Sequence, residues 1–147
     1  MSGLAVRPAK PDERLQLEEL QRRASLELED YRDQLLAHPD EIHLPAEQID
    51  RGEVLVAEFD GDILGFAVVL AEEGRAELDG LFVEPKQWRK GIGRALVDAA
   101  VHHARRRGLT MIAVVANPTA RDFYEKCGFA VEGEVETRFG PAIRMSR

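Results

Sequence analysis

Cysteine occurs once in the 147 residues, at Cys127, so no disulfide can close within the chain. The four histidines, His38, His43, His102 and His103, lack the spacing of metal ligands, and no metal is expected. No apolar run approaches the ~20 residues of a membrane span, and the longest, "ILGFAVVL", has the length of a strand. The opening "MSGLAVRPAK" has no secretory hydrophobic region, so a cytoplasmic location is expected. Positive charge is in deficit too. A formal net charge of -7 argues against nucleic acid or a membrane surface as partner, because phosphate-rich surfaces are gripped by surplus Lys and Arg. The one basic block, Arg105 to Arg107, falls at a helix C-terminus, where cations complement the dipole.

What is present fits one globular domain over residues 1–147, with 44% hydrophobic and 32% charged residues and no internal repeat or linker. Pro11 and Asp12 open a stretch free of Gly and Pro up to Pro39. In it Leu17, Leu20, Ala24, Leu28, Tyr31 and Leu35 recur every three or four residues, the stripe of an amphipathic helix or two joined helices. Pro45 suits the first position of a short helix ended by Gly52. "EVLVAEF" and "ILGFAVVL", separated by "DGD", predict a hairpin, and "AELDGLFV" adds a third strand with Gly80 unexpectedly inside it.

From Gly91 to Arg107 the periodicity turns helical, with Ile92, Leu96 and Ala99 or Ala100 on one line and Val97, Val101 and Ala104 beside it. "TMIAVVA" reads as a strand covered on both faces. Asn117 and Pro118 start a short helix closed by Gly128, and two last strands flank "RFGP". The strand, helix and strand from Ala76 to Ala116 form a right-handed βαβ unit. The fold class is therefore α+β: a mixed, mostly antiparallel sheet with one parallel pair and helices on both faces.

"QWRKGIGRALVD", residues 87 to 98, places cations and two glycines where a helix begins. The first-turn amides of a helix have no internal partner and carry partial positive charge, which suits a pyrophosphate. A dinucleotide fingerprint would need a small residue where Leu96 stands, and a Walker loop would need Gly-Lys-Ser/Thr; neither is present. Gly-x-Gly alone also serves as a structural turn.

"LFVEPKQWRKGIGRAL", with "NPTARDFYEKCGF" downstream, resembles the GNAT superfamily, the GCN-type N-acetyltransferases that use acetyl-CoA. The order of elements is similar over nearly the whole chain. The resemblance implies the GNAT fold and transfer of an acetyl group from acetyl-CoA to a primary amine by direct attack in a ternary complex. The alternative it leaves open is a module of the same fold that binds acyl-CoA as a sensor or assembly partner. One departure stands out: the family's Gln or Arg, three positions before the first glycine, is Trp88 here, flanked by Gln87 and Arg89. The indole can stack on the adenine or pack against the protein.

By the same resemblance, the strands before and after the helix splay, and the pantetheine arm lies in the gap. Gly80 would start the divergence, and Leu81, Phe82 and Val83 would offer strand backbone. Trp88, Arg89, Lys90, Gly91, Ile92, Gly93 and Arg94 would hold the pyrophosphate, with Asn117 and Tyr124 on the opposite wall. An amine with a pKa near ~10.4 must lose a proton before attack, so a carboxylate base is expected. Glu77 stands where the histone-acetylating branch carries its base, and Asp79 is the alternative, on the same face by alternation. A backbone amide near Leu81 would steady charge on the carbonyl oxygen. Tyr124 matches the family's donor of a proton to the departing thiolate. The amine would approach over the first helices, where Glu27, Glu29, Asp30, Asp33, Asp40 and Glu41 can attract it. A polyamine, amino sugar or peptide amine would each fit. Specificity is expected in residues 25–52 and the "ETRFGPA" turn, and a homodimer is common in the fold.

Overall fold

Two tight turns order the first half of the sheet. Asp60 and Gly61 (φ 51° and 82°), then Glu73 and Gly74 (φ 50° and 81°), all take the left-handed conformation. Paired positive φ values match the right-handed twist of flanking strands. They join β2 (Val54–Phe59), β3 (Asp62–Glu72) and β4 (Arg75–Val83) into a meander. The computed structural model describes residues 3–27, 29–38, 42–138 and 140–147, without the side chains of Glu29, Asp30, Tyr31 and Gln34. Leu28, Pro39, Asp40 and Glu41 therefore lie outside the described residues, as do the side chains of Glu29, Asp30 and Tyr31.

The remaining strands are β1 (Ala5–Pro8), β5 (Ile112–Ala116), β6 (Ala130–Thr137) and β7 (Gly140–Ser146), and the sheet runs β1-β2-β3-β4-β5-β7-β6. Only β4 and β5 pair in parallel; every other described pair is antiparallel. The last hairpin folds inward so that β7 joins β5. That leaves β6 at the edge with Glu132, Glu134 and Glu136, charges of the kind that discourage further pairing.

The stretch after Pro11 forms two helices, α1 (Arg14–Leu26) and α2 (Glu29–Ala37), followed by α3 (Ala46–Asp50). The later helices are α4 (Ile92–Arg106) and α5 (Arg121–Lys126). Strand alternation divides the core between the sheet's faces. Val54, Val56, Phe66 and Val68 pack with Leu17 and Leu20 of α1 and Ile49 of α3. Leu55, Ala57, Ala67 and Val69 face the other way, toward Leu96, Val97 and Ala100 of α4. Leu17, Leu20, Phe66 and Leu96 are fully buried, each contributing on the order of 1.5–3 kcal/mol. One expectation needs correcting: β5 is not covered on both faces, because Val115 is 38% exposed. The reason lies in how β4 leaves it.

Candidate active site

β4 and β5 pair only at Ala76 with Ile112 and Glu77 with Ala113. Just beyond, the β3–β4 register shifts: Val68 faces Gly80 and Val69 faces Leu78, so Asp79 is the extra residue of a bulge. A bulge bends its strand, and the ladder to β5 ends there. Gly80 fits this crowding, since a Cβ on it would lie 2.9 Å from the Phe82 ring. The Glu84 amide donates to the Leu64 carbonyl at 2.8 Å, toward β3. Antiparallel alternation then turns the backbone groups of Leu81 and Val83 toward the gap.

At one end of the gap α4 begins. Ala95 is the first amide of the helix to bond back, to the Gly91 carbonyl at 3.0 Å. The amides of Ile92, Gly93 and Arg94 precede it and have no helical partner. The loop before them turns at Arg89 (φ 66°) and Gly91 (φ 85°). Such left-handed residues aim successive N–H groups into an anion-sized concavity. The Trp88 indole N–H donates to the Val83 carbonyl at 2.8 Å, while Lys90 Nζ sits 3.3 Å from Gln87 Oε1. The indole therefore spends its one donor on the protein.

A cavity of about 810 Å³ passes through the gap, within the size range of small-molecule sites. From β4 it is lined by Asp79, Leu81, Phe82 and Val83. The loop and α4 contribute Trp88, Arg89, Gly91, Ile92, Gly93 and Arg94. Asn117 and Tyr124 stand on the far side. Asn117 Oδ1 accepts from Thr119 N at 2.9 Å, starting the turn that leads into α5. Tyr124 is buried, with Phe123 and Phe129 rings edge-on at 5.0 and 5.4 Å. Burial, with a smaller push from Cys127, raises its phenol well above the usual range, so the proton stays on oxygen. Glu77 and Lys90 do not line the cavity.

The two carboxylates are thus parted. Glu77 faces Arg144 of β7, with Oε2 and Nη1 3.8 Å apart, whereas Asp79 opens into the cavity. Strict alternation would put them on one face, but it does not run through a bulge. Asp79 is exposed on the cavity wall, yet partial loss of solvation there raises its carboxyl above the ordinary range, and Glu72 adds to the shift. Glu77 is also raised by burial, against the pull of Arg144 and Arg75. Of the six acidic residues expected to draw in the amine, Glu27 and Asp33 have described side chains; both are exposed and neither lines the cavity.

Several lining residues carry no motif. Gln21, Ala24 and Ser25 of α1, Leu35 of α2, Ile42 and Arg138 close the side away from α4. Ala24 and Leu35 belong to the apolar stripe of the sequence, which reads equally well as core. Only the opening beside β4 makes them a wall. Among the described residues, no group of three or more His, Cys, Asp or Glu could hold a metal ion.

A family model described as the acetyltransferase (GNAT) family matches residues 16–129. The chain belongs to that family. The chain is similar to the 5-NmdU N-acetyltransferase of Pseudomonas phage PaMx11. The two are 27% identical over 133 residues, 89% of this chain and 90% of the phage protein. The aminoglycoside N(6')-acetyltransferase type 1 of Klebsiella aerogenes is 47% identical over 62 residues, 37% of this chain and 41% of that protein. The GNAT fold itself recurs in the PaiA N-acetyltransferase of Thermoplasma acidophilum in complex with coenzyme A. That likeness has a TM-score of 0.80 at 22% identity and covers 100% of this chain and 99% of that one. Among the described residues, no helix is long and apolar enough to cross a membrane.

Proposed function

We propose that this GNAT-family member moves the acetyl group of acetyl-CoA to a primary amine by direct attack, both substrates being bound at once. One observation carries the reading: a single cavity joins the cationic start of α4, the strand backbone that β5 leaves unpaired and the Asp79 carboxylate. The residues fit the cofactor. The free amides of α4, with Arg89 and Arg94, suit a pyrophosphate, and the backbone of Leu81 and Val83 suits an amide-bearing arm in the gap. Acetyl-CoA supplies the activated acetyl thioester.

The remaining work falls to the chain. Asp79 takes a proton from the ammonium, directly or through water; its raised pKa makes it a better base than an ordinary aspartate. The amine nitrogen then bonds to the acetyl carbon as the carbon–sulfur bond breaks. The Leu81 amide faces the charge that gathers on the carbonyl oxygen. Tyr124 gives its phenolic proton to the sulfur, and the proton that the new amide nitrogen sheds restores the phenol. Between the two candidate bases, cavity lining favours Asp79, and Glu77 supports the site from its pairing with Arg144.

Isothermal titration with acetyl-CoA and with CoA, followed by thiol release across a broad amine panel, tests this. Binding with release for some amine supports the transferase. Binding without release for any amine overturns it in favour of a module that holds acyl-CoA without turnover.

A further inference from the structure

The two glycines at the start of α4 are needed for different reasons. Gly91 takes a left-handed conformation (φ 85°), and a Cβ on it would meet nothing within 4 Å. Gly93 lies within the helix, yet a Cβ there would stand 3.2 and 3.3 Å from Cζ and Cε1 of Phe123. The Phe123 ring thus occupies the place of a Gly93 side chain. That ring lies edge-on to Tyr124 with centroids 5.0 Å apart, and Phe129 backs Tyr124 at 5.4 Å. Beyond Glu77 no described strand pairing joins β4 to β5, while Gly93 and Phe123 both line the cavity between them. Their contact holds the two sides of the gap where the ladder does not.

On the transferase reading, which this deepens, we infer that Phe123 is a positioning residue: a spacer that fixes how far the free amides of α4 stand from the Tyr124 hydroxyl. Those amides take the pyrophosphate and the hydroxyl meets the sulfur. The bound cofactor runs from one to the other, so their separation decides its fit. Misplacement by ~1 Å can cost about 10²-fold. Phe123 has little room to yield. On one side stands Gly93, and on another the buried Tyr124 with Phe129 behind it. The open direction is the cavity, where the cofactor arm lies on this reading. A methyl group at Gly93 therefore pushes the α4 amides back, or drives the ring into the cavity or onto Tyr124, because a packed contact passes displacement on. Each outcome spoils the cofactor's fit.

The test is a pair of double-variant cycles, with CoA affinity read by calorimetry and turnover read with an amine that releases thiol. Gly93→Ala is expected to weaken CoA by ~5- to 10-fold, and by under ~2-fold once Phe123→Leu has removed the ring. Gly91→Ala, whose cost lies in its own backbone, is expected to lose the same affinity in both backgrounds. Phe123→Leu is expected to lower kcat by ~3- to 10-fold with the acetyl-CoA KM held within ~3-fold. That loss is expected to vanish in the Tyr124→Phe background, where no hydroxyl is left to place. An equal Gly93→Ala penalty in both backgrounds, or none in either, overturns the inference. So does a Phe123→Leu loss that persists without the hydroxyl. If Gly93→Ala alone gives no cooperative melt, recovery of the melt by Phe123→Leu supports the spacer, and failure to recover overturns it. If no amine releases thiol, the transferase reading fails by itself. The CoA cycle still decides the contact: rescue by Phe123→Leu supports it, and additivity overturns it.

Discussion

The Trp88 indole N–H and the Val83 carbonyl meet at 2.8 Å, tying the loop before α4 to the end of β4. Trp88 stands where the family pattern has Gln or Arg, and it acts here as a strut for the loop that precedes the helix amides. Trp88→Phe keeps a ring and removes the donor, and one hydrogen bond is worth about 0.5–1.5 kcal/mol. The expected result is a rise of roughly 3- to 10-fold in the acetyl-CoA KM with kcat nearly unchanged. An unaltered KM would mean that the strut does not position the loop.

Tyr124→Phe separates packing from proton transfer, because the ring stays between Phe123 and Phe129 and only the hydroxyl goes. General acids typically contribute about 10²–10⁴-fold. A thiolate with a pKa near ~8.5 leaves fairly well without help, so a loss of kcat at or below the low end is expected. Since burial raises the phenol, the wild-type rate should show no fall assignable to Tyr124 below pH ~10.

Asp79→Asn is expected to cut kcat/KM by about 10²-fold or more, and Glu77→Gln to leave it within about 3-fold. The base works deprotonated, so wild-type activity should fall as pH drops through a value above the ordinary aspartate pKa, and the Asn variant should lose that limb. Stability runs the other way. A carboxylate raised in the folded state binds protons more tightly than in the unfolded chain, so its contribution declines as pH rises through that window. The melting temperature of Asp79→Asn should therefore match or exceed wild type at neutral pH, with the gain vanishing in acid. A lower melting temperature at neutral pH would contradict the desolvation argument.

Arg23 of α1 forks onto Glu84, with Nε and Nη2 at 2.9 and 2.8 Å from its two oxygens. The pair links the end of β4 to the helix that presents Gln21, Ala24 and Ser25. Exposed pairs contribute about 0–1 kcal/mol, so Arg23→Ala should barely move the melting temperature. Its effect belongs in the acceptor KM, raised several-fold while the acetyl-CoA KM holds. Equal rises in both would place the pair's role elsewhere.

Local chemistry made much of the fold readable. The Asp60-Gly61 turn, the apolar lines of α4 and the Asn117-Pro118 helix start each follow from a few neighbouring residues. The start of α4 was readable for the same reason, because a helix start and its glycines are contiguous. The separation of Glu77 from Asp79 was not, since a bulge depends on the partner strand's register. Nor was the acceptor wall: Ala24 and Leu35 have the same spacing whether a core or a cavity lies in front of them.

The sequence by itself determined the periodicities, the turns, the cationic helix start and the family, because these depend on neighbours along the chain. The tertiary structure alone decided where β4 parts from β5, which of Glu77 and Asp79 meets the cavity, and that Ala24 and Leu35 line it. Those outcomes depend on register shifts and on bringing residues as distant as Ala24 and Tyr124 around one cavity, and no local pattern encodes them.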